Sequence, residues 1–269
     1  MNPLVAAPAL HRHNAFHSTF LPDDRDVWVW LPPGYETEAA RRYPVLYLQD
    51  GQNLFDPETA FQRGQHWRAG ETAATLIDER RLSPLIIVGI ANTGERRVHE
   101  YTPTADARLG GGLADAYGQL LVQELKPFID RKYRTMPDRS KTGIGGSSLG
   151  GLVSLYLALT RSDVFGRAAV MSPSVWWDRR VILRHVDASR PTLRPRLWVD
   201  MGTAEGRRGL QDARRLKAAL VHAGWTPDDD LHYGEYKGAT HSEAAWAARF
   251  GDVLEWLWAK PGTVLTSEC

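Results

Sequence analysis

The run Gly145-Gly146-Ser147-Ser148-Leu149-Gly150-Gly151 contains the pattern G-x-S-x-G at Gly146, Ser148 and Gly150. A serine hydroxyl is a weak nucleophile until a turn exposes it and a base takes its proton. A tight strand-to-helix turn exposes it, and glycines two residues to either side relieve the crowding. The helix that follows aims its free N–H groups and positive end at the reacting oxygen, and the amide of Leu149 is the first such donor. Ser147 is the neighbouring serine, but only Ser148 has glycines at both −2 and +2. A glycine turn holding an ordinary buried serine would share this composition. A phosphate loop is a third reading, but no Lys-Ser/Thr follows as a P-loop requires. Context favours the nucleophile, because a short strand pattern precedes the run and an apolar helix pattern, Leu149 to Leu159, follows it.

On a strand–turn–helix scaffold of this kind the order along the chain is serine, then acid, then histidine. Of nine histidines, His241 is the one at a strand-to-helix junction downstream of Ser148. His222 falls on an amphipathic helix pattern and His232 inside a strand pattern. The acid should follow the penultimate strand, Leu197 to Asp200. Glu205, in the loop Met201-Gly202-Thr203-Ala204-Glu205-Gly206, is the candidate, and Asp200, still within the strand pattern, is its competitor.

A second oxyanion donor is expected in the loop Asp50-Gly51-Gln52-Asn53-Leu54-Phe55-Asp56. Gly51 lets backbone approach a bound ester, and the Gln52 N–H is the candidate donor; a plain Asp-Gly turn is the simpler reading. Asp50 and Asn53 on this loop are candidate substrate contacts. So are Trp67, Trp176 and Trp177, which sit in loops or at element ends, although ten tryptophans could as easily be core. Arg97 is a candidate for a substrate carboxylate or catechol oxygen, with pairing to a surface acid as the safer reading.

The elements that must position these residues follow from periodicity. Strand patterns lie at Asp26–Leu31, Tyr43–Gln49, Leu85–Ile90, Gly143–Gly146, Ala168–Met171, Leu197–Asp200 and His232–Tyr236, and residues 11–17 read as an early edge strand. Helix-period patterns join them. Tyr117, Leu120, Leu121, Leu125, Phe128 and Ile129 share one face, Leu210 to Ala223 ends at a C-cap Gly224, and Trp246, Phe250, Val253, Leu254 and Leu257 line a last helix. Thr240 and Glu243 have capping-box spacing at its start. This alternation predicts an α/β fold, a mostly parallel sheet of about eight strands with helices on both faces, and the G-x-S-x-G turn with its Ser, acid, His order makes the α/β-hydrolase class the expectation. The Asp26 and Tyr43 strands have no helix between them, so an antiparallel hairpin is expected at one edge. A single domain over 1–269 is expected, with 1–10 and 262–269 as tails.

Lys and Arg number 33 against 32 Asp and Glu, a balance that disfavours a nucleic-acid partner. No run approaches a membrane span, and no secretory signal is read at Met1–His17. Cys269 is the one cysteine, so no intrachain disulfide can form. A cytoplasmic protein is expected. His11, His13 and His17 lack acidic or thiol partners between them, and neither a metal nor an organic cofactor is expected.

The chain resembles the esterase D-type family, which includes enterochelin esterase-like hydrolases and is related to feruloyl esterases and mycobacterial mycolyltransferases. The likeness runs from about Asp24 to the last helix. It rests on Leu31-Pro-Pro-Gly-Tyr35, Tyr47-Leu-Gln-Asp-Gly-Gln-Asn-Leu-Phe55, Arg97 with Glu100-Tyr-Thr-Pro103, Gly146-Ser-Ser-Leu-Gly-Gly151, Ser172-Pro-Ser-Val-Trp-Trp177, Gly202-Thr-Ala-Glu-Gly206 and Gly238-Ala-Thr-His241. The resemblance implies Ser148, Glu205 and His241 as triad, Gln52 and Leu149 as oxyanion amides, and Trp176 and Trp177 at the substrate pocket. It implies a serine carboxylic-ester hydrolase and says little about substrate; a small or aromatic acyl ester is expected as small-molecule substrate, with no nucleic-acid or membrane partner. An acyltransferase on the same fold is the alternative. A non-catalytic binding protein is the alternative of another class.

Overall fold

The computed structural model describes residues 7–189 and 193–258. Most of the two expected tails, and Cys269, lie outside the described residues.

One eight-stranded sheet draws on most of the chain. Its strands are β1 (Ala9–Phe16), β2 (Arg25–Leu31), β3 (Val45–Gln49), β4 (Ile86–Ile90), β7 (Thr142–Ser147), β8 (Arg167–Met171), β9 (Arg196–Gly202) and β10 (Leu231–Tyr236), with β5 (Ala105–Asp106) and β6 (Gly110–Gly111) forming a separate small hairpin. The order is β1-β2-β4-β3-β7-β8-β9-β10. All pairs from β4 through β10 are parallel, and β2 is antiparallel to both β1 and β4. The antiparallel edge expected from the sequence is present, but its partners differ. The segments 26–31 and 43–49 are not neighbours, because β4 lies between them, and β1 supplies the hairpin instead. β3 (VLYLQ) and β4 (IIVGI) are buried at every position, which is why they read as continuous apolar runs and not alternating ones.

Helices cover both faces. They are α1 (Ala69–Asp78), α2 (Arg97–Glu100), α3 (Ala114–Gln119), α4 (Lys126–Lys132), α5 (Leu149–Thr160), α6 (Trp177–Ser189), α7 (Arg207–His222) and α8 (Glu243–Trp258). One core cluster joins Tyr117, Leu121, Leu155, Val181 and Leu216; a second, on the opposite face, joins Trp67, Leu76, Trp246, Phe250 and Leu257. A π-helical turn (Leu120–Leu125) connects α3 to α4, and the Lys126 amide bonds the Leu121 carbonyl. Pro127, in the first turn of α4, has no amide to give the carbonyl four residues back, so the ladder widens there. Gly224 closes α7 at φ 105°, as its C-cap reading required. The start of α8 differs from the capping box read at Thr240 and Glu243. Glu243 is already the first helical residue, and Ser242 Oγ accepts the Ala245 N–H at 3.4 Å. No described helix is long and apolar enough to cross a membrane.

Parallel pairing puts the carboxyl ends of β3, β7, β8, β9 and β10 along one edge, where ligands of open α/β sheets bind. The loops after those five strands carry Gln52, Ser148, Trp176, Glu205 and His241.

Candidate active site

Ser147 is the last residue of β7 and is buried, whereas Ser148 is half-buried in the turn between β7 and α5. Its backbone sits at φ 58° and ψ −121°, a conformation costly for a residue with a Cβ. The turn survives because its surroundings over-determine it. Ser148 N–H donates to the Met171 carbonyl at 3.0 Å, and its own carbonyl accepts from the Leu152 and Ser174 amides, each at 3.0 Å. Close approach explains the flanking glycines. A Cβ at Gly146 would lie 2.9 Å from Gln49 Cβ, and one at Gly151 would lie 2.9 Å from the Met171 carbonyl oxygen. Leu149 is the first residue of α5, so its amide is among those without an intrahelical acceptor.

The loops after β9 and β10 are tied together. The Ala204 N–H donates to the Ala239 carbonyl at 3.1 Å, and the Gly238 N–H to Thr203 Oγ1 at 2.8 Å. This brings His241 Nδ1 to 2.6 Å from Glu205 Oε2. The other oxygen, Oε1, accepts from Ser172 Oγ at 2.6 Å and the Gly202 N–H at 2.9 Å. Burial alone would raise the Glu205 pKa, but the hydrogen bonds from His241, Ser172 and Gly202 outweigh it and hold the carboxyl below its ordinary value. The His241 ring is about half exposed and rests edge-on against Trp246, with centroids 4.9 Å apart.

Asp200, the competing acid, is fully buried and committed elsewhere. It accepts from Arg249 at 2.8 Å, the Ser172 amide at 3.1 Å and the Trp198 indole at 2.7 Å. The strand runs two residues beyond its sequence reading, to Gly202, which leaves Asp200 inside the sheet.

Opposite, Asp50 adopts a left-handed conformation and opens a tight turn, Gly51–Asn53. A Cβ on Gly51 would lie 2.5 Å from the Gly89 carbonyl carbon, so only glycine lets this turn lie on β4. Gln52 is anchored through its carbonyl, which accepts from Thr59 Oγ1 at 2.7 Å. The Asp50 carboxylate is gripped by Arg97 through two bonds of 2.7 Å and by Asn92 Nδ2 at 2.7 Å. Burial works against the Arg97 charge, but Asp50 more than compensates and raises its pKa. Arg97 therefore pairs with an acid, as the safer reading held, but that acid is a buried one on the candidate oxyanion loop.

The substrate contacts sort by exposure. Trp67 is 2 % exposed and packs on Phe250 and Trp246. Trp177 is 1 % exposed and donates its indole N–H to the Thr104 carbonyl at 2.9 Å. Both readings as pocket residues are corrected: the rings belong to the core. Asn53 is also buried, spent on the Phe61 amide at 2.9 Å and Glu243 at 3.4 Å. Trp176 is 53 % exposed on the loop that follows β8. Three residues escaped the sequence reading: Ser174, whose Oγ lies 3.3 Å from Ser148 Oγ, and the buried pair Ser172 and Arg249. The signal for them lies in Ser172-Pro-Ser-Val-Trp-Trp177, whose serines flank a proline, and in a lone arginine on the apolar stripe of α8. His11 and His13 do share a face of β1, and both reach the Tyr133 hydroxyl, at 3.3 and 2.7 Å.

Residues 18–257 match the Esterase family, described as "Putative esterase". Uncharacterized protein YbbA of Bacillus subtilis (strain 168) is 28 % identical over 255 residues, covering 90 % of this chain and 96 % of that protein. Ferri-bacillibactin esterase BesA of the same organism is 33 % identical over 161 residues, covering 54 % of this chain and only 52 % of that protein. Among solved structures, a ferulic acid esterase superposes with a TM-score of 0.73 at 20 % identity, covering 93 % of this chain and 98 % of that one, a likeness of fold.

Proposed function

The chain belongs to the Esterase family, and we propose that it is a carboxylic ester hydrolase in which Ser148 is the nucleophile, His241 the general base and Glu205 the acid that orients the base. The observation that carries this reading is the 2.6 Å bond between His241 Nδ1 and a buried Glu205, at the sheet edge where Ser148 heads α5. In the resting state Ser148 Oγ bonds Ser174. The reaction requires Ser148 Oγ to leave Ser174 and meet His241 Nε2, a bond of the kind that catalytic sites often make only with substrate in place.

The reaction then runs in two halves. His241 takes the Ser148 proton as Oγ attacks the ester carbonyl, and Glu205 stabilises the imidazolium. The Leu149 and Gln52 amides receive the oxyanion, each such donor being worth about 3 kcal/mol. The alcohol leaves with the proton from His241, and water repeats the attack on the acyl-enzyme. Residues 1–269 act as one α/β-hydrolase domain in this reading.

The substrate we favour is an aromatic acyl ester of the feruloyl or siderophore kind. Relatives of this chain include a siderophore enterobactin esterase and an endo-1,4-beta-xylanase/feruloyl esterase, and the exposed Trp176 offers a ring face two residues from Ser174. A panel of p-nitrophenyl esters of graded length, set beside feruloyl and catecholate esters, tests this. Preference for the aromatic acyl esters by an order of magnitude or more supports it. A preference for short aliphatic esters overturns the substrate class, and turnover by Ser148→Ala overturns the mechanism.

A further inference from the structure

Beneath Glu205 lies a hydroxyl that has no freedom to point anywhere else. Ser172 is 1 % exposed and sits at φ 41° at the end of β8, held there by its amide bond to Asp200. A serine hydroxyl has one proton and two lone pairs. Trp246 Nε1 approaches it at 3.0 Å and Arg249 Nη2 at 2.8 Å. Indole and guanidinium nitrogens only donate, so both lone pairs are occupied. The single proton is left for Glu205 Oε1, 2.6 Å away.

From this geometry we infer that Ser172 and Arg249 are positioning residues for the esterase site, forming a one-way relay that keeps Glu205 ionised and in the rotamer that meets His241. This inference rests on the triad reading above.

The direction of the relay is set by charge. Arg249 is 2 % exposed, and Nη2 carries two protons, one on Ser172 Oγ and the other on Asp200 Oδ1 at 2.8 Å. Asp200 balances the arginine and takes the Trp198 indole on its other oxygen. The titratable and charged groups facing Glu205 are thus the His241 imidazole from the β10–α8 loop, and Arg249 from α8 at 4.0 Å backed by Asp200 from β9. Protonating Oε1 would leave the Ser172 proton without an acceptor, and its two lone pairs are already filled. Trp246 ties the relay to the base, because the indole that donates to Ser172 also supports the edge of the His241 ring. The relay also assigns Asp200 a purpose: it is the counterion that lets a cation sit under the site.

The test uses Ser172→Ala and Ser172→Gly, the second suited to φ 41° and so able to fold if the first strains. Losing a hydrogen bond to a charged group should lower kcat about tenfold or more, with KM little changed. The acid limb of kcat/KM should steepen and begin at higher pH, because Glu205 loses a donor to its ionised form. The far-downfield proton resonance of His241 Nδ1–H should shift and broaden. Arg249→Lys, which keeps the charge but not the fork, should fall between wild type and Ser172→Ala. Folded variants with kcat within about twofold of wild type, an unchanged acid limb and an unmoved His241 resonance would overturn the relay. If the wild-type protein hydrolyses no ester, the functional reading fails instead, and the resonance still reports whether Ser172 acts on the Glu205–His241 pair.

Discussion

Ser148 Oγ lies 3.3 Å from Ser174 Oγ, and that hydroxyl, not the His241 imidazole, is its hydrogen-bond partner at rest. The two serines are locked in register by the bond from the Ser174 amide to the Ser148 carbonyl. A neutral hydroxyl pair contributes about 1 kcal/mol. Ser174→Ala should release Ser148 and speed labelling by a fluorophosphonate probe by up to about fivefold. A tenfold slowing would mean that Ser174 contacts the reacting atoms and does more than park the nucleophile.

The strain at Ser148 predicts a trade of stability against activity. A residue with a Cβ at φ 58° and ψ −121° costs of order 1–3 kcal/mol, and glycine adopts this region freely. Glycine gives back part of the gain through its larger unfolded-state entropy. Ser148→Gly should therefore be inactive and more stable than Ser148→Ala by about 1 kcal/mol. Denaturant unfolding of both variants checks this, and equal stability would show that the turn is not strained.

How far the sequence spoke depends on the range of the interaction. The turn at Ser148 is legible because G-x-S-x-G is a local device, and the place of His241 because it stands at a strand-to-helix junction. Glu205 and Asp200 could not be separated locally. Only the extension of β9 to Gly202 buries Asp200, and only Arg249, 49 residues away, shows what Asp200 is paired with. Trp67 and Trp177 read as pocket rings because they stand in a loop or at an element end, and their burial comes from elements distant in the chain. Ser172 is the extreme case. Its hydroxyl partners lie 33, 74 and 77 residues away, and no periodicity announces them.

The depressed pKa of Glu205 has a stability consequence with a definite sign. Its folded value lies below the ordinary 4.5, so its charged form is favoured in the folded state. That contribution is fully present above the unfolded value and is lost as pH falls through the folded one. Glu205→Gln should therefore lose stability relative to wild type near neutral pH, and the difference should shrink steadily below about pH 4.5. Its kcat should fall by about 10²–10⁴, since an amide can neither stabilise the imidazolium nor enforce the tautomer. Thermal unfolding of both proteins from pH 7 to pH 3 reads the first effect. A difference that grows toward acid pH would contradict the pKa direction.

The Asp50–Arg97 pair predicts non-additivity. Asp50 is 9 % and Arg97 24 % exposed at the side chain, and Asp50 opens the turn that presents the Gln52 amide. Arg97→Met leaves a carboxylate nearly buried with Asn92 as its remaining side-chain donor. Breaking a buried pair from one side costs about 3–5 kcal/mol, and the partial exposure of Arg97 brings this to roughly 2–3. Asp50→Asn with Arg97→Met removes both charges, so the double variant should recover much of that stability, with a coupling of about 1–3 kcal/mol. Its activity should not recover, because neither amide nor thioether holds the turn with two parallel bonds, and a displaced oxyanion donor costs about 10²-fold in kcat. Stability and turnover should thus part company in the double variant. Recovery of both together would mean that Arg97 supports only the fold, and that the position of the Gln52 amide does not depend on it.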